Sequence, residues 1–247
     1  MSPPPEGPAE AGKDLFAEDV RQHLQAHLGQ LLTQLGSPPD TPAAEKLLEG
    51  LIRFCSALHA ANENINLTGI KDAEGMAIRH CLDSLVALPH LRPHADEATS
   101  PPPLVDIGSG CGVPGIPLAL ARPDLPVVLI ESRKRKSEAL DQMVTALELG
   151  PRVGLVHARA EAWLAEHDVG TLVTRAVGSV NTQLELFGPL RTRYRRLVML
   201  KGPAASEELE LAAKTRHKHR FPEPEIHETQ LPGEAGRRVV LVFEGGR

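Results

Sequence analysis

The stretch Leu104-Val-Asp-Ile-Gly-Ser-Gly-Cys-Gly-Val-Pro-Gly-Ile-Pro117 decides the fold. Leu104–Ile107 reads as a short buried strand; Gly108, Gly110 and Gly112 then turn the chain before a helix opens near Pro117. Glycine reaches positive φ at little cost and has no Cβ to keep a ligand away from the backbone. At the first strand-to-helix turn of an open parallel sheet, such a turn forms the usual crevice for an adenosine-containing ligand. The plain alternative is a tight turn that binds nothing.

Two ligand classes compete for that crevice. Gly110-Cys-Gly-Val-Pro-Gly115 satisfies G-x-G-x-x-G, which admits a nicotinamide- or flavin-dependent oxidoreductase. Asp106, two residues before the first glycine, favours the other class. A carboxylate there crowds a pyrophosphate but suits the cationic methionine end of S-adenosyl-L-methionine. Glu131, followed by Ser132 at the end of the next apolar run, is placed for ribose hydroxyls in either class. The residues therefore favour a methyltransferase. A non-catalytic RNA-binding or cofactor-sensing protein, and a methyltransferase acting on a small molecule or protein, stay open as alternatives.

Beyond the glycine turn, apolar runs alternate with amphipathic stretches. The runs are Leu104–Ile107, Val127–Ile130, Val153–Val156, Thr171–Thr174 and Leu197–Leu200. Helical stretches fall at Pro117–Ala121, Lys134–Leu149, Ala160–Glu166, Val180–Leu190 and Ala204–Lys214. This alternation predicts an α/β fold, a Rossmann-like parallel sheet with helices on both faces. Glu225–Gln230 and Arg237–Phe243 would add an antiparallel edge.

Ahead of the turn the pattern is helical. Apolar residues recur at helical spacing from Asp14 to Leu35, where Gly36 stops them. Thr41 caps a second helix to Ala60, with Pro42 at its first position. A polar loop covers Asn62 to Gly69, and Asp72 caps a third helix to about Leu88. The expected division is a loose tail 1–13, an N-terminal helical cap 14–90, a proline-rich linker 91–103 and the α/β core 104–247.

The 247 residues carry a formal charge of −5, so any nucleic-acid surface must be a local patch. Cys55, Cys81 and Cys111 show neither a paired nor a metal-like spacing, which argues against a disulfide framework and a zinc site. No secretory signal opens the chain and no apolar run approaches a membrane span. A cytoplasmic monomer without membrane contact is expected. Aromatic residues make up only 3%, which disfavours a base-stacking platform.

The sequence resembles the bacterial 16S rRNA 7-methylguanosine methyltransferases of the glucose-inhibited-division B type. The matching blocks are Asn66-Leu-Thr-Gly69, His80-Cys-Leu-Asp-Ser-Leu85 and Val105 to Leu118, then Arg159-Ala-Glu161, Thr174-Arg-Ala-Val177, Leu200-Lys-Gly202 and Arg237–Phe243. They stand in the family's order and span about Leu51 to Phe243. The resemblance implies a seven-stranded methyltransferase sheet and S-adenosyl-L-methionine as donor. It also implies N7 of a guanine in the 530 loop of 16S rRNA as acceptor, on naked RNA or in the small ribosomal subunit. Family cofactor contacts carry over to Gly108, Val113, Ala160, Glu161 and Arg175. Glu131 stands where aspartate is commoner.

Several further residues are candidates. Arg175 ends the fourth run, where it would hold the cofactor carboxylate or orient the base, unless it makes only a surface salt bridge. Asn66, His80, Asp83 and Lys201 would shape the RNA side, or else pin the helical cap to the sheet. His80 and Asp83, three apart on one helical face, are within reach of one another. Arg133, Lys134, Arg135 and Lys136 open a helix against its dipole, which a phosphate-binding role would explain; a solvated charged face is the alternative. Two other basic segments, Arg191–Arg196 and Lys214–Arg220, would extend that patch only if they cluster with the glycine turn.

Overall fold

The computed structural model describes residues 14–91 and 102–246. The expected tail and most of the expected linker lie outside the described residues. Two long helices come first, α1 (Leu15–Gln34) and α2 (Pro42–Asn64). Asp14 and Thr41 cap them by accepting from Ala17 N at 3.2 Å and Ala44 N at 3.1 Å. A third helical segment, α3, covers 73–85, started by Asp72, which accepts from Gly75 N at 2.6 Å. Its middle, Met76–Leu82, winds as a π-helix, with Asp83 N reaching back to Ile78 O. The helix thus ends at Leu85, short of the expected Leu88, and a 3₁₀ turn, Leu88–His90, follows. α2 runs four residues past the expected Ala60, so the polar loop begins later.

The remainder alternates: β1 (Leu104–Ile107), α4 (Gly115–Ala121), β2 (Val127–Ile130), α5 (Lys134–Ala146), β3 (Val153–Val156), α6 (Ala160–Leu164), β4 (Val169–Arg175), α7 (Val180–Phe187) and β5 (Tyr194–Lys201). Where one helix was expected from Ala204 to Lys214 there are two, α8 (Ala205–Leu211) and α9 (Ala213–Lys218). β6 (Glu225–Gln230) and β7 (Arg237–Glu244) close the chain. The seven strands lie in the order β3-β2-β1-β4-β5-β7-β6. β1 to β5 are parallel; β7 is antiparallel to both neighbours. The order reverses between β1 and β4, and ligands bind at such a reversal, outside the carboxyl ends of the strands.

Side-chain alternation divides the apolar residues between the two faces of the sheet. Leu104, Leu129, Val173, Val198 and Val240 share one cluster with α1, α2 and α3. Val105, Ile107, Leu172, Met199 and Leu241 share the other with α6 and α7. Because both faces are covered, the parallel strands read as nearly continuous apolar runs. The N-terminal helices are therefore part of the core. Leu51, Phe54 and Leu58 of α2 are wholly buried, and truncating one such leucine costs about 2–5 kcal/mol. Cys55 and Cys81, separate in the sequence, meet in this core with their Sγ atoms 3.3 Å apart, both as free thiols. Among the described residues no helix is long and apolar enough to cross a membrane.

Candidate active site

Gly108, Gly110 and Gly112 carry the chain off β1 at φ of 68°, 56° and 91°. Asp106 lies wholly buried beneath this turn, and its Oδ2 accepts from Gly115 N at 3.0 Å. A Cβ on Gly115 would stand 2.3 Å from Leu129 Cδ2 and 2.7 Å from that carboxylate oxygen, so only glycine lets α4 start this close. Burial raises the Asp106 carboxyl to about 7, against the opposing pull of the Ser109 hydroxyl, the Gly115 amide and the more distant Arg175. Glu131, at the end of β2, folds back over the turn. Its Oε2 accepts from Gly110 N at 3.1 Å and its Oε1 from Arg133 N at 2.7 Å. Ser132 is exposed, while Val113 and Ala160 are buried. Glu161 sits in the first turn of α6, where its charge suits the helix dipole.

Across the reversal, Arg175 ends β4, and Ala176 follows at φ 57°. A non-glycine residue in that region carries about 1–2 kcal/mol of strain. The loop is held regardless. Gly178 O accepts from Gln183 Nε2 at 3.2 Å and from Lys201 Nζ at 2.8 Å. Gln183 is itself fixed by Thr174, whose hydroxyl donates to it at 2.6 Å.

Arg175 organises the helical side of the site. Its Nε lies 3.2 Å from Asp83 Oδ2, and Arg238 Nε donates to Asp83 Oδ1 at 2.7 Å. One carboxylate from the end of α3 thus joins β4 to β7. His80 and Asp83 do not bond to each other; Arg175 stands between them, its Nη2 3.5 Å from His80 Nδ1. Arginine can only donate. His80 Nδ1 must therefore accept, so Nε2 carries the proton and donates to Thr68 Oγ1 at 2.9 Å. Burial, helped by the Arg175 charge, holds the His80 pKa down at about 4, and the ring is neutral at pH 7. Asn62 ties the loop below, accepting from Leu67 N at 2.8 Å and Thr68 N at 3.0 Å. Asn66 is exposed, and the contacts from this loop to His80 run through Asn62 and Thr68.

Arg238, Glu208, Thr68 and Asn62 join the expected residues in this structure. Arg238 left a readable signal: on β7 it shares the inward parity of Val240 and Val242, and an inward charge needs a partner. The basic segments separate. Arg133, Lys134 and Arg135 are exposed beside the glycine turn, and Lys136 reaches back to Leu67 O at 3.4 Å. Arg191–Arg196 and Lys214–Arg220 do not extend that patch. Arg191 and the His219–Arg220 end of the second segment lie toward the opposite, amino edge of β5, where Arg191 binds Gly245 O at 3.0 Å and His219 O at 3.2 Å. There Lys218 and His219 share Glu185.

Four described side chains leave a buried polar atom without a hydrogen-bond partner. Those of Arg152 and Arg191 lie just before β3 and β5, at the amino edge of the sheet. The other two, Asp106 Oδ1 and Arg175 Nη1, belong to neighbouring strands at the carboxyl edge. One is an acceptor and the other a donor.

A family model described as rRNA small subunit methyltransferase G matches residues 47–235. The ribosomal RNA small subunit methyltransferase G of Nitrosomonas europaea is 39% identical over 167 residues, 66% of this chain and 73% of the relative. The protein of that name from Solibacter usitatus is 30% identical over 226 residues, 92% of this chain and 98% of the relative. Among solved structures, the METTL16 MTase domain superposes with a TM-score of 0.50 at 14% identity, covering 82% of each chain, a likeness of fold.

Proposed function

The chain belongs to the rRNA small subunit methyltransferase G family, and on that footing we propose that it transfers a methyl group from S-adenosyl-L-methionine to N7 of a guanine in 16S rRNA. The observation that carries the choice of donor is the orphan pair at the carboxyl edge. Asp106 Oδ1 offers an acceptor for the methionine ammonium and Arg175 Nη1 a donor for its carboxylate. A pyrophosphate would instead bring negative charge to Asp106, which disfavours a nicotinamide cofactor. Glu131 is the ribose partner in this reading, with Ser132 beside it. Gly108, Gly110, Gly112, Val113, Ala160 and Glu161 line the rest of the cofactor crevice.

When bound, the cofactor supplies an electrophilic methyl on a sulfonium. Guanine N7 has an in-plane lone pair and loses no proton on methylation, so the chain needs to supply no general base. Its residues align the acceptor, exclude water and avoid opposing the positive charge that develops on the base. His80 serves the last task by staying neutral. Asp83 serves it by offsetting Arg175 and Arg238. Lys201 and Asn66 border the RNA side, and Arg133, Lys134, Arg135 and Lys136 meet phosphates of 16S rRNA or of the small subunit. The protein acts as a cytoplasmic monomer.

Thermal melts test the donor. S-adenosylhomocysteine at one hundred times its Kd should stabilise by about 2.7 kcal/mol, or roughly 5–10 °C in a chain of this size. Stabilisation by NAD with none by S-adenosylhomocysteine would overturn the reading.

A further inference from the structure

A cleft of roughly 330 Å³ opens beside Arg175, between the carboxyl ends of β4 and β5, with Asp83, Lys201, Glu208 and Arg238 on its walls. Its polar groups are unequally engaged. Both oxygens of Asp83 are taken by arginines. Lys201 Nζ reaches Gly178 O at 2.8 Å and Glu208 Oε2 at 2.6 Å, which leaves the third N–H of the ammonium unassigned. Glu208 Oε2 also accepts from Val180 N at 2.8 Å. Its Oε1 accepts no hydrogen bond among the described residues, although the side chain faces the cleft. Here a spare donor and a spare acceptor stand side by side.

The direction of that pair matters. The glycine turn lies off β1, and β4 separates β1 from β5. The N1–H bond of guanine points roughly at a right angle to the N7 lone pair, with O6 between them, so a purine held with N7 toward the glycine turn has its Watson–Crick edge free to face β5 and α8 to the side. On guanine that edge presents O6 as acceptor, then N1–H and the N2 amino group as donors. Lys201 Nζ and Glu208 Oε1 offer the matching donor and acceptor. Adenine reverses both contacts, setting its amino group against the ammonium and its N1 lone pair against the carboxylate.

Given guanine N7 as the acceptor, as proposed above, we propose that Glu208, oriented by Lys201, is the residue that selects guanine, by accepting from N1–H and the N2 amino group. Enzymes that act on an extruded base commonly read it on this edge. A site built to hydrogen-bond a group rejects the analogue that lacks it.

The test uses 16S rRNA assembled by splinted ligation with guanine or inosine at the acceptor position; inosine lacks only the N2 amino group. The parental protein should prefer guanine by about tenfold to a hundredfold in kcat/KM, the range for a hydrogen bond to a charged group. In Glu208→Gln that preference should fall toward one, with the Kd for S-adenosylhomocysteine unchanged. Glutamine keeps an acceptor for Val180 N, and a thermal melt checks the fold. Should it not fold, Glu208→Asp, which draws the charge back by one methylene, must also lower the ratio. A parental ratio in a folded Glu208 variant, or no preference in the parental protein, overturns the proposal. Failure of the parental protein to methylate guanine-containing rRNA at all would defeat the acceptor assignment, and the proposal with it.

Discussion

Replacing Asp83 by alanine removes the carboxylate that bridges two arginines, and the structure sets the size of the effect. The Asp83 side chain is only 5% exposed, with Arg238 Nε at 2.7 Å and Arg175 Nε at 3.2 Å. Removing one member of a buried ion pair costs about 3–5 kcal/mol, chiefly because the remaining charge is left desolvated. Here the arginine side chains are 19% and 20% exposed. They can recover some water, which places the cost near the lower end, about 3 kcal/mol. For a chain of this size that is roughly 6–12 °C in Tm. Urea unfolding at pH 7 of Asp83→Ala, Arg238→Ala and the double variant gives the coupling directly. Arg238→Ala should cost less, since Asp83 keeps Arg175, and the double variant should fall short of the sum by about 1–3 kcal/mol. Raising the salt should change little, because buried pairs are weakly screened. A loss below about 1 kcal/mol for Asp83→Ala, or full additivity, would refute the view that Asp83 fixes both arginines.

Three other predictions concern protons and RNA. His80 is held at about 4 against an ordinary 6.5, so as pH falls the unfolded chain takes its proton first. Stability should drop between about pH 6.5 and pH 4, by up to about 3 kcal/mol; urea titrations of His80→Gln should lose that slope, and parallel slopes would contradict it. Asp106 runs the other way, raised to about 7 from 3.8, so its contribution is present at low pH and lost as pH rises from about 4 to 7. The parental protein should therefore lose stability relative to Asp106→Asn across that window, and a constant difference from pH 4.5 to 7.5 would count against the buried carboxyl. Finally, changing Arg133, Lys134 and Arg135 to alanine should raise KM for rRNA and lessen the salt dependence by about 0.7–0.9 in log–log slope for each lost phosphate contact; an unchanged slope would make the patch a solvated face.

The strands of the parallel sheet were readable because burial on both faces leaves them almost uniformly apolar. The glycine turn was readable because positive φ and close approach admit few other residues. Boundaries were harder wherever packing overrides local preference. β4 starts at Val169, two residues before the expected Thr171, because Val169 pairs with Tyr194 of β5, and Gly170 lies against Pro102, where a Cβ would stand 2.9 Å from the proline ring. The π-helical turn Met76–Leu82 contains neither glycine nor proline, Gly75 standing just before it, and an i→i+5 pattern has no composition signature. That turn carries His80 and leads directly into Asp83, so the site's least legible element is also the one that organises it. The meeting of Cys55 with Cys81, and the Asn62–Thr68–His80 chain, depend on how α2 and α3 cross, which spacing along one segment cannot express.

The most direct measurement is transfer of labelled methyl from S-adenosyl-L-methionine to unmodified 16S rRNA, offered naked and as small subunits, with the product digested to nucleosides. Label confined to 7-methylguanosine is the predicted result. Label in another nucleoside, or none on either substrate from a protein that binds the cofactor, would contradict the account.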